Sequence, residues 1–319
     1  MTLVSDRYKH VAIVASTAGL PAPLRVRARG ALLSRLHRAK LERANVLVMV
    51  HPKCGGTWLR VMLFRLYQRK YGLDTRRVLK TDELQRLDPN LPTFLVSNGH
   101  YSFEGEVEAA FANPGAGFDP DGKKLIFLAR HPCDVVVSWW IQFSKRTTAY
   151  KRELINHQVR MPVSSGISQW EFAMHDELGV PGLIDYMNTW ARHLEQAREP
   201  LLVRYEDLRV QPRVELERIS TFLGEDFAGD ALDEAVEFAS FDNLRALEKA
   251  NYFDNDGLRL RSSGDPDTLK VRRGVVGGYR DHFGPEQVKQ LQKLVDERLT
   301  PVFGYGRAAG SATRSLSAD

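Results

Sequence analysis

Three short runs along the chain are almost entirely apolar, and each has the length of a β-strand: residues 46–50, 125–129 and 201–204. Polar positions do not alternate with apolar ones in these runs, so both faces of each strand are expected to be buried. Strands of this kind are typical of parallel sheets that carry helices on both faces. The pattern therefore predicts a central, mostly parallel sheet.

A helical pattern follows each apolar run. The first helix is predicted over residues 57–71 and is closed by Gly72. The second begins near Asp134, and the third runs over residues 212–224 with a proline at its start. Strands that alternate with helices predict an α/β fold, with a central parallel sheet flanked by helices and right-handed crossovers.

The segment before the first strand has a different pattern. Residues 24–43 alternate Arg with Leu and Ala at helical spacing, so that one face can carry Leu32, Leu33, Leu36 and Ala39. This pattern predicts a surface helix packed on the body of the protein, and the alternative is attachment to an anionic membrane. Residues 10–16 are short and apolar, which favours a strand or a flexible tail over a signal peptide.

Charge is concentrated in this first segment. Residues 1–45 hold nine Lys or Arg against two acidic residues, a net charge of +7. The whole chain carries a net charge of +5, so residues 46–319 carry −2. The body is therefore not a nucleic-acid binder by charge. No apolar run approaches the ~20 residues needed to span a bilayer. Two cysteines among 319 residues exclude a disulfide scaffold and favour a reducing, cytoplasmic environment.

These patterns divide the chain into three parts. A basic N-terminal arm is predicted over residues 1–45, and one α/β domain over residues 46–304. Residues 305–319 are rich in Gly, Ser, Ala and Arg and are predicted to be a disordered tail.

The turn after the first strand has the composition of an anion site. Residues 51–58 read His-Pro-Lys-Cys-Gly-Gly-Thr-Trp and lie between a strand and a helix. Such a junction presents backbone N–H groups and the positive end of a helix. Gly55 and Gly56 allow close approach of a phosphate, Lys53 adds charge, and Thr57 is expected to cap the helix. A Walker A loop would need a lysine after the glycines, followed by Ser or Thr, and the chain lacks that order.

A second candidate site follows the second strand. Arg130 comes at the carboxyl end of that strand, where open α/β sheets bind their ligands. Ser138 lies one helical turn after Asp134, so both side chains are expected to face the same crevice. A guanidinium and a hydroxyl together make a phosphate clamp.

Together these segments resemble the sulfotransferase family that uses PAPS (3′-phosphoadenosine 5′-phosphosulfate). The family's loop Pro-Lys-Ser-Gly-Thr-Thr-Trp and its segment Arg-Asn-Pro-x-Asp-Val-x-x-Ser are matched at Pro52, Lys53, Gly55, Thr57, Trp58, Arg130, Pro132, Asp134, Val135 and Ser138. Residues 202–208, Leu-Val-Arg-Tyr-Glu-Asp-Leu, and residues 272–283, which begin Arg-Arg-Gly, look like two further family elements. The resemblance implies a P-loop-like sulfotransferase fold and a nucleotide-binding site.

The resemblance also implies roles for individual residues. Lys53 would stabilise charge on the departing bisphosphate, and the loop residues would hold the 5′-phosphosulfate: Cys54, Gly55, Gly56, Thr57 and Trp58. The 3′-phosphate would be bound by Arg130, Ser138, Arg272, Arg273 and Gly274, and the adenine by Tyr205 and Phe241. His100 stands where the family has its catalytic base. Three departures affect this set: Cys54 replaces Ser, Gly56 replaces Thr, and Asn98 replaces a frequent Lys.

The predicted activity is transfer of sulfonate from PAPS to a hydroxyl, and with less support to an amine, of a small or lipid-like acceptor, with no metal. Two alternatives remain open: a nucleotide-dependent kinase or NTPase, and a catalytically silent protein that binds membrane surfaces on the same scaffold. Zinc bound by His51, Cys54, His131 and Cys133 is disfavoured, because their spacing is unlike zinc motifs. The sequence leaves the acceptor and the oligomeric state open.

Overall fold

The computed structural model describes residues 6–76, 78, 84, 89–99, 122–254 and 274–306. Within these residues four strands form one sheet: β1 (Val46–Val50), β2 (Phe94–Ser97), β3 (Lys124–Ala129) and β4 (Pro200–Arg204). The helices are α1 (Asp6–Ser16), α2 (Ala22–Arg43), α3 (Gly56–Lys70), α4 (Pro132–Ile141), α5 (Ala149–Gln158), α6 (Gln169–Met174), α7 (Val180–Gln196), α8 (Tyr205–Val210), α9 (Pro212–Leu223), α10 (Gly229–Phe238), α11 (Phe241–Lys249) and α12 (Pro285–Arg298). A π-helical turn (Gln142–Arg146) follows α4, and short 3₁₀ turns cover Gly278–Asp281 and Pro301–Phe303.

The sheet is parallel, with strand order β2-β1-β3-β4. Val46 pairs with Phe94 on one side and with Lys124 on the other, so β1 lies inside the sheet. All five residues of β1 are buried, as its continuous apolar run predicts. The predicted α/β class and the three predicted strands are confirmed. Because all four strands run in the same direction, their carboxyl ends meet at one edge.

The helices that follow the strands match the sequence pattern closely. The chain enters α3 from β1 and α4 from β3, and α9 ends at Gly224, whose φ of 79° is the left-handed conformation that closes many helices. The N-terminus of α3 differs from the prediction. Gly55 rather than Thr57 is its capping residue, and no side chain caps it.

The core surrounds β3 and β1. The Phe127 ring on β3 contacts the rings of Tyr186 and Trp190 on α7, and that of Phe303 near the C-terminus. Trp190 and Phe303 are fully buried. This packing fixes the sheet edge from which the candidate site is built.

The N-terminal arm is a helical hairpin. The apolar segment that begins at residue 10 belongs to α1, so the expectation of a strand or flexible tail is wrong. In α2 the buried positions are Val26, Arg29, Leu33, His37 and Leu41, so the helix is turned relative to the predicted apolar face. Leu32 and Ala39, which belong to the predicted apolar face, are exposed. The buried face of α2 instead includes a polar residue, Arg29, whose side chain donates to the Thr17 hydroxyl.

Within the described residues, no helix combines the length and the apolar composition that a membrane crossing requires. The boundaries predicted for the arm, the domain and the tail stay predictions. Tyr305, the first residue of the predicted tail, is buried against the domain.

Candidate functional site

The turn between β1 and α3 has an unusual backbone. Lys53 has a φ of 77°, in the left-handed region that side chains other than glycine rarely adopt, and Gly55 has a φ of 99°. The Cys54 N–H donates to the His51 carbonyl at 3.1 Å, which closes the turn. A Cβ at Gly55 would lie 2.6 Å from Cδ2 of Tyr205. The loop therefore requires glycine at this position, and its strain is of the kind found at functional sites.

The amino end of α3 opens toward this loop. The first intrahelical bond runs from the Leu59 N–H to the Gly55 carbonyl at 3.1 Å. The N–H groups of the first turn have no intrahelical acceptors, and the helix dipole adds partial positive charge there. Thr57 is half-buried at the second position of α3. The geometry suits an anion, as the sequence predicts.

Arg130 connects this loop to a distant part of the chain. Its side chain is 8% exposed, and it donates to the Lys53 carbonyl at 3.1 Å and to the Val275 carbonyl at 3.3 Å. The guanidinium carbon lies 4.2 Å from the centre of the Tyr205 ring. Within the described part of the chain, the buried Nε of Arg130 has no hydrogen-bond partner. The buried guanidinium thus supplies positive charge beside the loop.

Asp134 has a different role from the one expected. Its carboxylate accepts the N–H of Gly277 at 2.7 Å and that of Tyr279 at 3.0 Å, so it fixes the segment after residue 274 to α4. The side chain therefore points to that segment rather than into an open crevice. Ser138 is half-buried one turn further along α4.

Aromatic rings lie beside Arg130. Gly274 has a φ of 61°, and a Cβ there would lie 3.4 Å from the Phe241 ring and 3.6 Å from the Tyr205 hydroxyl. Trp58 contacts Tyr205 edge to face, with ring centres 5.9 Å apart, and its Nε1 donates to the Ala239 carbonyl at 2.8 Å. Tyr205, Trp58 and Phe241 are thereby brought together, as the resemblance implies.

A partly buried hydrogen-bond network holds the turn that follows Arg130. Glu206 accepts the His131 N–H at 3.0 Å with one oxygen and the Tyr305 hydroxyl at 2.5 Å with the other. The His131 ring stacks on Tyr279, with centres 5.5 Å apart and planes 7° from parallel, and burial lowers the pKa of His131 to about 4. The roles of Glu206 and Tyr305 were not predicted from the sequence. The matched Tyr-Glu-Asp segment marks Glu206, whereas no local signal marks Tyr305.

The two cysteines are buried thiols. Burial raises the pKa of Cys54 to about 12 and that of Cys133 further still. Both are free, and the His131 Nδ1 accepts the Cys133 N–H at 3.3 Å. Among the residues that the structure describes, no group of three or more His, Cys, Asp or Glu side chains is placed to hold a metal ion.

Three predicted site residues lie outside the described residues: His100, Arg272 and Arg273. The residues just before His100 are described. Ser97 ends β2 and accepts the Gly99 N–H at 3.2 Å, and its register partner on β1 is Met49. The chain therefore reaches Gly99 at the sheet edge that carries Lys53.

Comparison with known proteins identifies the family. The sequence profile of the sulfotransferase domain matches residues 43–303. The chain belongs to the sulfotransferase family. Its curated relatives include cytosolic sulfotransferase 6 of Arabidopsis thaliana, 23% identical over 82% of this chain and 80% of that protein, and the amine sulfotransferase of Oryctolagus cuniculus, 22% identical over 84% and 85%.

Solved structures show the same sulfotransferase fold. Mouse sulfotransferase SULT7A1 complexed with PAP has a TM-score of 0.54 and 16% identity, over 88% of this chain and 94% of that one. Retinol dehydratase, solved in complexes with androsterone and PAP and with retinol and PAP, has a TM-score of 0.51 and 16% identity, over 79% of this chain and 80% of that one. The predicted fold and family are confirmed.

Gly56, which stands where the family loop has Thr, packs closely against β1. A Cβ at Gly56 would lie 2.9 Å from Cγ1 of Val50, the last residue of β1. A threonine at this position would require Val50 to move. The packing of Val50 therefore accommodates glycine rather than threonine at this position. Backbone N–H groups of the loop can donate to an anion in place of the missing hydroxyl.

Proposed function

We propose that this sulfotransferase transfers the sulfonate of PAPS to a hydroxyl of a small or lipid-like acceptor. The observation that carries the proposal is the buried guanidinium of Arg130, which is held between Lys53 and Val275 and whose Nε has no hydrogen-bond partner among the described residues. A buried cation beside an open helix end fits a ligand that carries several phosphate charges. An amine remains the second acceptor class.

The comparisons support the choice of donor. PAP, the bisphosphate that remains after PAPS has lost its sulfonate, is bound in both the SULT7A1 and the retinol dehydratase structures. The rabbit relative is named for an amine acceptor, and retinol dehydratase was solved with androsterone or retinol. The two structural relatives share only 16% of their sequence with this chain, so their acceptors do not identify the acceptor here.

The described loop fits the phosphate end of such a donor. The Tyr205 ring lies so close to Gly55 that a Cβ at that position would overlap it, so only glycine fits this turn of the loop. We expect the N–H groups of residues 55–58 to hold the 5′-phosphosulfate, because the Cys54 N–H already donates to the His51 carbonyl. Arg130 and Ser138 would bind the 3′-phosphate with Arg272, Arg273 and Gly274, and Tyr205, Trp58 and Phe241 would contact the adenine.

The reaction we propose is an in-line displacement. His100 accepts the proton of the acceptor hydroxyl, whose oxygen forms the new bond to sulfur. The bond from sulfur to the bridging phosphate oxygen breaks, and its electron pair leaves with the bisphosphate. Lys53 and the loop N–H groups stabilise that charge. Positioning and electrostatics supply most of the catalysis in transfers of this type.

For the location, we propose the cytoplasm, with contact to a membrane through the basic arm. Cytosolic relatives and two buried free thiols support the first part. The net charge of the arm supports the second.

Thermal unfolding of the full chain with PAP, and separately with ADP or ATP and magnesium, tests the donor. A ligand at 100 times its Kd stabilises the native state by ~2.7 kcal/mol. We expect stabilisation by PAP, lost in Arg130→Ala and kept in Arg213→Ala, which removes an exposed arginine paired with Glu217 and Asp233. Lys53→Ala should fold and lose turnover by a few orders of magnitude.

The alternatives give different results in the same assay. Preference for magnesium ATP would identify a kinase or NTPase and refute the sulfonate proposal. No stabilisation by any nucleotide would identify a silent scaffold. Wild-type turnover in Lys53→Ala would refute the catalytic role of that residue.

A further inference from the structure

The outer face of α2 is basic and exposed. Arg27, Arg35 and Arg38 lie on it together with exposed Leu24 and Leu32. These positions are opposite the buried stripe that begins at Val26, because residues three, four and seven apart share a helix face. Over its 22 residues α2 contains a single acidic residue, Glu42, which lies on the same face and forms an ion pair with Arg38 at 3.5 Å. The net positive charge of this face therefore rests on Arg27 and Arg35.

The outer face of α1 is apolar. Tyr8 is 69% exposed and Val11 57% exposed, and Ala12 and Ala15 on the same face are exposed as well. The turn to α2 continues this surface with exposed Leu20. Apolar side chains are rarely left in water as a continuous strip along a helix and its following turn, unless the strip has a partner.

Polar contacts hold both helices against α5. Arg29 donates to the Thr17 hydroxyl at 2.8 Å and to the Val14 carbonyl at 3.2 Å, which joins α1 to α2. On α5, Glu153 accepts hydrogen bonds from both Arg25 and Arg29.

Apolar contacts reinforce this attachment from the inner side. The Tyr150 ring contacts His10, and Val26 and Leu33 pack with Leu154. Because the inner faces of α1 and α2 meet the same helix, the basic face and the apolar face both point away from the domain.

We propose that the hairpin of α1 and α2 docks on the surface of an anionic lipid bilayer. The apolar side chains of α1 and the following turn enter the interface, and the arginines of α2 pair with lipid phosphates. Charge decides between partners. Two copies of the same basic face would repel each other, whereas an anionic leaflet attracts each basic side chain near it. This inference rests on the membrane contact of the basic arm in the proposed function and specifies its surface and lipid chemistry, whereas it does not depend on the transfer of sulfonate from PAPS.

Co-sedimentation of the full chain with vesicles tests the proposal. Vesicles of phosphatidylcholine alone are compared with vesicles that contain three parts phosphatidylglycerol to seven of phosphatidylcholine. We expect binding to the anionic vesicles only, weakened as salt is raised. Arg27→Glu with Arg35→Glu should weaken binding about 30-fold or more, since each basic residue lost is worth roughly a factor of five. The matched control is Lys289→Glu with Lys293→Glu, the same charge change on exposed positions of α12.

A second variant tests the apolar strip. Val11→Asp should reduce the binding that remains at high salt, while Val11→Leu should preserve it. Thermal unfolding checks that every variant is folded, which the exposure of these side chains leads us to expect. Equal binding to neutral vesicles, or equal losses in the arginine and lysine pairs, would overturn the proposal. So would a dimer in sedimentation equilibrium that the arginine pair dissociates, because the face would then cover a second copy.

Discussion

Replacing Tyr305 by Phe tests whether its hydrogen bond to Glu206 stabilises the proposed donor site. The hydroxyl donates to Glu206 at 2.5 Å, and the side chain is 8% exposed. Burial, and after it the neighbouring Glu206, raises the pKa of Tyr305 well above its usual value, so the group remains a donor at every working pH. Removing a buried donor to a carboxylate costs ~1.5–3 kcal/mol. For a chain of this size ~2 kcal/mol corresponds to a fall in Tm of about 3–4 °C.

The control is Tyr71→Phe, which also removes a hydroxyl that donates to a glutamate. Tyr71 bonds Glu225 at 3.2 Å but is 36% exposed, so we expect a loss of ~0.5 kcal/mol or less. Urea unfolding gives both free energies. Because Glu206 also holds the His131 N–H beside Arg130, Tyr305→Phe should raise the KM for PAPS more than it lowers kcat. Equal stability losses in the two variants, or an unchanged KM, would refute the positioning role.

Three further predictions follow from the site. Gly55→Ala should abolish stabilisation by PAP because its Cβ would overlap the Tyr205 ring, and a normal thermal shift with PAP would contradict this. Lowering the pH from 6.5 to 4 should remove up to ~3 kcal/mol of the free energy of unfolding. Burial lowers the pKa of His131 to about 4 in the native protein, so over this range the unfolded chain binds a proton that the native state does not. Urea titrations of His131→Asn should show a smaller pH dependence, and pH profiles parallel to those of the wild type would exclude this group. Cys54 and Cys133 should react with Ellman's reagent at pH 8 only after unfolding, because burial raises both pKa values; rapid labelling of the native protein would contradict this.

Much of the fold could be predicted because the strands are buried on both faces. The continuous run from Val46 to Val50 has no polar residue to obscure the pattern, and the predicted and observed strands coincide. The order of the motifs along the chain also indicated the family and the parts of the site. These features are local, so a single sequence carries them.

The remainder depends on contacts between distant residues. Arg29 is buried in α2 because Thr17 and Glu153 satisfy its guanidinium, so a pattern that counts arginine as exposed turns the helix the wrong way. Tyr305 and Glu206 are 99 residues apart, and neither position shows in isolation that it is paired. Asp134 was likewise expected to face the same crevice as Ser138, because its partners at residues 277 and 279 are too distant in the sequence to be predicted from it.

The join between the arm and the sheet affects how the protein can move. Asn45 is the second residue after α2, and its backbone bonds Thr93 on one side and Lys124 on the other. Its side chain accepts a third bond, from the Thr93 N–H at 3.1 Å. Lys123 also donates to the Ala44 carbonyl at 2.5 Å. These hydrogen bonds attach the end of the arm rigidly to the sheet. On the membrane proposed above, the hairpin would hold the sheet and its carboxyl edge at a set tilt and distance from the lipid surface.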